Sequence, residues 1–104
     1  MRIILACAAG MSTSLLAKKM LLIARERGRE VSVEAMSTSA LDEAHWRGAD
    51  VVLVGPQMRH QLPMLAAKGA EYHVPVAAIP PQDYALAHGE HVLDQALKLA
   101  GEQE

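Results

Sequence analysis

Apolar residues gather into four short runs along the chain, at 3–6, 31–35, 51–54 and 76–79, and each run is followed by a longer stretch with helical spacing. Alternation of this kind predicts an α/β fold with a parallel sheet. The runs at 3–6 and 51–54 are continuously apolar, as strands covered by helices on both faces should be. In the second run Val31, Val33 and Ala35 alternate with Ser32 and Glu34, which points to an edge strand. Right-handed crossovers then favour a four-stranded sheet of order 2-1-3-4 with helices on both faces. In that order the topological switch lies between the first and third strands, so a ligand crevice is expected beside Cys7 and Gly55-Pro56-Gln57.

Between the strands, residues 12–27 put Leu15, Leu16, Met20, Ile23 and Ala24 near one helical face, with Gly28 as the stop. Ser37, Thr38 and Ser39 offer N-cap oxygens ahead of a short helix over 41–46, with Asp42 and Glu43 in its first turn. After Gly55-Pro56, the residues Met58, Leu62, Leu65 and Ala66 recur at helical spacing, and Pro63 either kinks that helix or sits in its first turn. The last helix is expected from about Glu90, burying Val92, Leu93, Ala96, Leu97 and Ala100 and ending at Gly101 before an acidic tail. No linker, internal repeat or low-complexity tract interrupts the pattern, and 104 residues suit one domain spanning 1–104.

Composition narrows the function classes. The formal net charge is -2, with no positive excess for binding phosphate backbones, so no nucleic-acid partner is expected. No apolar run approaches the roughly 20 residues of a membrane-spanning helix, and no direct membrane insertion is expected. The run at 3–7 behind Arg2 is too short for a secretory signal, which makes the cytoplasm the expected location. The single cysteine has no partner for an internal disulfide. Cys7 is therefore either a buried small hydrophobe or a thiol kept for chemistry.

The residues after it favour chemistry. Cys7, Ala8, Ala9, Gly10, Met11, Ser12, Thr13 and Ser14 are small or hydroxylated apart from Met11, and they lead straight into the first helix. Such a loop wraps backbone N–H groups around an anion. The free N–H groups and dipole of a helix start form a phosphate site, and Gly10 permits positive φ. The hydroxyls of Ser12, Thr13 and Ser14 add donors or cap the helix. A thiol at the mouth of this site meets a field that favours negative charge on sulfur. The plainer reading makes Cys7 the last buried residue of a strand and residues 10–14 an ordinary cap.

Cys7-Ala8-Ala9-Gly10-Met11-Ser12-Thr13-Ser14-Leu15 resembles the active-site loop of the lactose/cellobiose-type IIB proteins of sugar phosphotransferase systems, in which an apolar strand ends in Cys-x-Ala-Gly-Met-Ser-Thr-Ser. Ala49-Asp50-Val51-Val52-Leu53-Val54-Gly55-Pro56-Gln57 is similar to that family's third strand, Leu62-Pro63 repeats a family dipeptide, and Ile79 with Tyr84 matches the segment after the fourth strand. The Cys loop and Gly-Pro-Gln about fifty residues apart make a specific combination. The resemblance implies a phosphatase-like Cys loop after the first strand, with Cys7 taking a phosphoryl group from a phosphohistidine of a IIA phosphocarrier. The phosphocysteine would then phosphorylate a sugar bound by a IIC membrane permease. Gln57 is expected across the crevice, touching the phosphate or ordering the loop, unless it is simply a surface residue at a helix start. Ala8 departs from family members that carry serine there, which removes one hydroxyl donor. No cofactor and no metal are expected, and a carrier that docks with two partners in turn is expected to be a monomer with modest interfaces.

Two other functions compete. A small cysteine-dependent phosphatase also holds a phosphocysteine in such a loop, but it needs an arginine six residues after the cysteine to clamp the phosphate, together with a carboxylic acid. The residue at that place is Thr13, while Asp83 beside Tyr84 falls in a loop that could reach the site. A non-catalytic phosphate-binding module would not need the cysteine at all. Arg59 and His60 after Gln57 suit either an acidic partner surface or a solvated helix face. His88 and His91 around Glu90 share a face only if the last helix starts earlier than Glu90, and no third metal ligand is evident, so surface histidines are the simpler reading.

Overall fold

In the computed structural model, residues 1–8 and 11–101 are described. The strands are β1 (Arg2–Cys7), β2 (Ser32–Ser37), β3 (Val51–Val54) and β4 (Val76–Ala78). The helices are α1 (Met11–Glu26), α2 (Glu43–Gly48), α3 (Leu62–Glu71), α4 (Pro81–Ala85) and α5 (Gly89–Leu99). All three strand pairings are parallel and the order is β2-β1-β3-β4, as the apolar runs predict.

Period-two alternation along the two central strands feeds two cores. Ile3 and Leu5 of β1 and Val51 and Leu53 of β3 pack with Leu16, Met20, Val92 and Leu93 of α1 and α5. Ile4, Ala6, Val52 and Val54 point the other way, onto Trp46 and Leu65 of α2 and α3. Continuous apolarity in these strands is thus the sum of two half-patterns, one for each layer of helices. Each buried Ile or Leu contributes about 2 kcal/mol of transfer free energy, which makes the central pair the best-anchored part of the sheet. Cys7 shares the parity of Ile3 and Leu5 and is directed toward the α1 side.

Several boundaries differ from the sequence reading. Leu15, expected in the core, is 51% exposed, whereas Thr13 and Ala17 join Leu16, Met20 and Ala24 on the buried face of α1. Ser37 caps only a short 3-10 turn over Thr38–Ala40, and Asp42 is the N-cap of α2 rather than a first-turn residue. A 3-10 segment, Pro56–Gln61, precedes α3 and leaves Pro63 in the first turn of that helix, where a missing N–H costs nothing. Helix α4 lies where a loop around Asp83 and Tyr84 is expected, and Pro81 opens it. Helix α5 begins at Gly89, one residue before the expected start, and its buried stripe is Val92, Leu93, Ala96 and Leu97, with Ala100 capping the end. Gly89 lies against the backbone of α1, where a Cβ would fall 2.8 Å from Lys19 Cβ and 3.1 Å from Met20 N. Gly28 has φ +70°, the left-handed stop expected of it.

Candidate functional site at the carboxyl end of the sheet

The chain leaves β1 for α1 on one face of the sheet and leaves β3 for α3 on the other, so the ends of these two strands lie at the switch point, where ligands bind in such sheets. There Cys7 ends β1 with only 3% of its surface exposed. Gly55 follows β3 and donates its N–H to the carbonyl of Ala6 at 2.7 Å, which draws the two strand ends together. A Cβ on Gly55 would stand 3.1 Å from Cys7 Cβ and 3.2 Å from Gln57 Oε1. Gly55 is therefore the shared neighbour of the thiol-bearing residue and of Gln57. The exposed Gln57 brings its side-chain carbonyl oxygen close to this glycine.

Helix α1 starts at Met11, so its amino end abuts the end of β1. Of the expected anion loop, Ala9 and Gly10 and the side chains of Met11 and Ser12 lie outside the described residues. Ala8 and Ser14 are both exposed at its two ends. Thr13 is 1% exposed, the one buried polar residue among the described residues. Its hydroxyl donates to Cys7 Sγ at 2.9 Å. A second contact, also 2.9 Å, joins Thr13 Oγ1 to the hydroxyl of Tyr84. Since the single Thr13 proton is directed to sulfur, Tyr84 is the donor to Thr13. The result is a chain of hydroxyls, Tyr84 to Thr13 to Cys7, in which each bond polarises the next. A donor aimed at sulfur suits negative charge there and would also fit an oxygen of a group carried on sulfur.

Thr13 thus occupies the place, six residues after the cysteine, at which a phosphatase would need arginine. The sequence pattern held a cue: Thr13 is in phase with Leu16, Ala17, Met20 and Ala24, so a helical stripe of core positions begins with a hydroxyl. Tyr84 had no assigned role from the sequence. It arrives from α4, packed against the α1–α5 core.

Asp83, next to Tyr84, does not turn to the thiol. Its Oδ1 lies 3.0 Å from His88 Nδ1 and 3.0 Å from His91 Nδ1. Hydrogen bonds from His91 and then His88 hold its carboxyl below the ordinary carboxylate value, and the same contact raises His91. Asp83 thus joins the two histidines in one cluster, which spacing alone did not reveal, and this cluster is separate from the thiol's hydrogen bonds. Arg59 and His60 are exposed on the 3-10 segment after Gln57. Among the described residues no helix is long and apolar enough to cross a membrane.

Residues 2–95 match the family model described as PTS system, Lactose/Cellobiose specific IIB subunit. The chain is 39% identical over 98 residues to the oligo-beta-mannoside-specific EIIB component of the PTS of Bacillus subtilis (strain 168), covering 94% of each chain. It is 42% identical over 101 residues to the galactose-specific EIIB component of Lactococcus lactis subsp. cremoris (strain MG1363), covering 93% of this chain and 94% of that one. Among solved structures it resembles the cellobiose-specific phosphotransferase IIB component from Borrelia burgdorferi, with TM-score 0.79 and 33% identity over 97% of this chain and 92% of that one. The chain belongs to the lactose/cellobiose-specific IIB family of the sugar phosphotransferase system.

Proposed function

We propose that Cys7 is the phosphoryl carrier of this IIB chain, and that residues 1–104 act as one IIB domain. The thiolate of Cys7 attacks the phosphorus of a phosphohistidine on a IIA partner; the P–N bond breaks, the S–P bond forms, and the imidazole leaves. A hydroxyl of a sugar bound by the IIC permease then attacks the phosphorus of the phosphocysteine; the O–P bond forms, the S–P bond breaks to restore the thiolate, and the hydroxyl proton is released to water. Phosphoryl transfer needs alignment and charge stabilisation more than covalent help from the protein. Helix N–H groups at the start of α1 and the loop over Ala8, Ala9, Gly10, Met11, Ser12, Thr13 and Ser14 are suited to supply both, with Gln57 supporting the far wall. A chain of this kind works in the cytoplasm, as a monomer that meets its partners in turn through modest interfaces.

The observation that carries this reading is the Thr13 hydroxyl directed onto Cys7 Sγ at 2.9 Å. It speaks for a thiol that is placed for charge and against a cysteine that merely fills the core. The same residue weighs against a phosphatase. Threonine at that position offers one donor where the hydrolytic reaction calls for a bidentate guanidinium, so a phosphocysteine here should persist in water.

Intact mass tests the reading, after incubation with phosphoenolpyruvate, enzyme I, the histidine phosphocarrier and a matching IIA protein. The native chain should gain one phosphoryl group and keep it once phosphoenolpyruvate is exhausted, while Cys7→Ser gains none. Equal labelling of both chains would refute Cys7 as the carrier. Free phosphate released in step with transient labelling would instead indicate a phosphatase.

A further inference from the structure

The corner between α4 and α5 brings three side chains together that phosphoryl transfer does not use. One ligand atom from each of Asp83, His88 and His91 lies within 4.8 Å of the other two. The chain is bent there by a Schellman motif: His88 N–H donates to the carbonyl of Asp83 at 2.9 Å, and Ala87 N–H donates to that of Tyr84 at 3.2 Å. Ala87 adopts the left-handed conformation that the motif needs, with φ 51°. This turn normally carries a hydrophobic contact between its first and last positions, which here are Asp83 and His88. His91 follows His88 by three residues at the start of α5, so both imidazoles stand over the same carboxylate. Their rings meet edge-on with centroids 4.9 Å apart.

We propose that Asp83, His88 and His91 form a binding site for a divalent first-row transition-metal ion, zinc foremost, which pins α4 to the first turn of α5. Two imidazoles and one carboxylate match the preferences of zinc and its neighbours, and a fourth position stays open to water. Ligand atoms around a tetrahedral zinc stand about 3.3 Å apart when each bond is about 2.0–2.1 Å. The two 3.0 Å carboxylate–imidazole separations are already close to that figure. An ion at the centre takes the place of the two shared protons, and each ring then carries its proton on Nε2. Calcium or magnesium would be poorer occupants, since they prefer oxygen ligands. A local comparator lies on α2, where His45 Nδ1 stands 2.8 Å from Asp42 Oδ1 with one histidine instead of two.

Calorimetric titration of zinc chloride into the chain, purified without a polyhistidine tag and carrying Cys7→Ser so that no thiol contributes, should show one saturable site. His88→Ala and His91→Ala should each weaken it at least about tenfold, because each removes one of three ligands. His45→Ala and His60→Ala should leave the affinity unchanged. Zinc should also raise the thermal midpoint of the parent chain and not that of the His88→Ala/His91→Ala variant, by linkage. Unchanged zinc affinity in that double variant, with circular dichroism showing both chains folded, overturns the proposal. So does the absence of saturable binding by the folded parent chain.

Discussion

Two polar clusters sit at the carboxyl end of the sheet, joined by the single peptide bond between Asp83 and Tyr84, and they are built on opposite terms. The inner one, Tyr84 to Thr13 to Cys7, is a pair of hydroxyls ending on sulfur and packed against the α1–α5 core. The outer one, Asp83 with His88 and His91, is ionisable and faces solvent at His91. Packing fixes the first, so a lost partner strands a buried polar group. Solvent screens the second, so a lost partner is largely replaced by water. The contrast teaches that one short helix can serve a site in two ways, holding a reactive group's environment with one residue and offering a ligand with its neighbour.

The sharpest way to break this contrast is Thr13→Val, which keeps the shape but removes the central hydroxyl. It leaves Tyr84 without its acceptor and Cys7 without its donor, and should cost about 2 kcal/mol in urea unfolding. Phosphoryl transfer from IIA should slow by about tenfold or more in single-turnover mass measurements, through the lost donor at sulfur. Tyr84→Phe removes only the outer link of the same chain and should cost about 1 kcal/mol with a smaller effect on transfer. A larger loss with Tyr84→Phe than with Thr13→Val would reverse the order of the chain.

Gly55→Ala places a methyl 3.1 Å from Cys7 Cβ and 3.2 Å from Gln57 Oε1. Gln57 can swing away whereas the strand cannot, so a stability change under about 1 kcal/mol and slower transfer are expected. The weakest effect is electrostatic and belongs to the solvent-facing kind of pair. The His45 N–H donating to the Asp42 carboxylate, aided by the His45 ring, holds that carboxyl below its ordinary value of 3.8. A carboxyl lowered on folding stabilises the chain above the unfolded value and loses that contribution as pH falls through the folded one. Asp42→Asn keeps a capping side chain without the charge, so it should be slightly less stable than the parent near neutral pH and converge with it in acid. Between about pH 7 and about pH 3 it should lose less stability than the parent in parallel denaturant titrations. Identical acid slopes would remove the sign assigned to this pair.

The parallel sheet was legible because two continuous apolar runs and one alternating run are hard to place otherwise, and the strand order put Cys7 and Gly55 at the switch point. Cys7 stood out as the single cysteine ahead of a helix. Three features were less visible, each for a physical reason. Leu15 was assigned to the core because an apolar residue fits the edge of a wide helical stripe, but the inner edge was taken by Thr13. Helix α4 was hidden by Pro80 and Pro81, since proline stops a helix from within yet begins one well. The partners of Tyr84 and Asp83 depend on where that helix lands, a tertiary outcome that no local spacing encodes.

The glycine at the start of α5 sets its bare backbone against Lys19 and Met20 of α1, at the Lys19 Cβ and carbonyl carbon and the Met20 amide nitrogen. No rotamer stands between the two helices to absorb a displacement, so the junction behaves as a rivet where most helix contacts behave as gaskets. A push on the first turn of α5 is therefore handed to the middle of α1 without slack, along the rod whose far end meets Cys7.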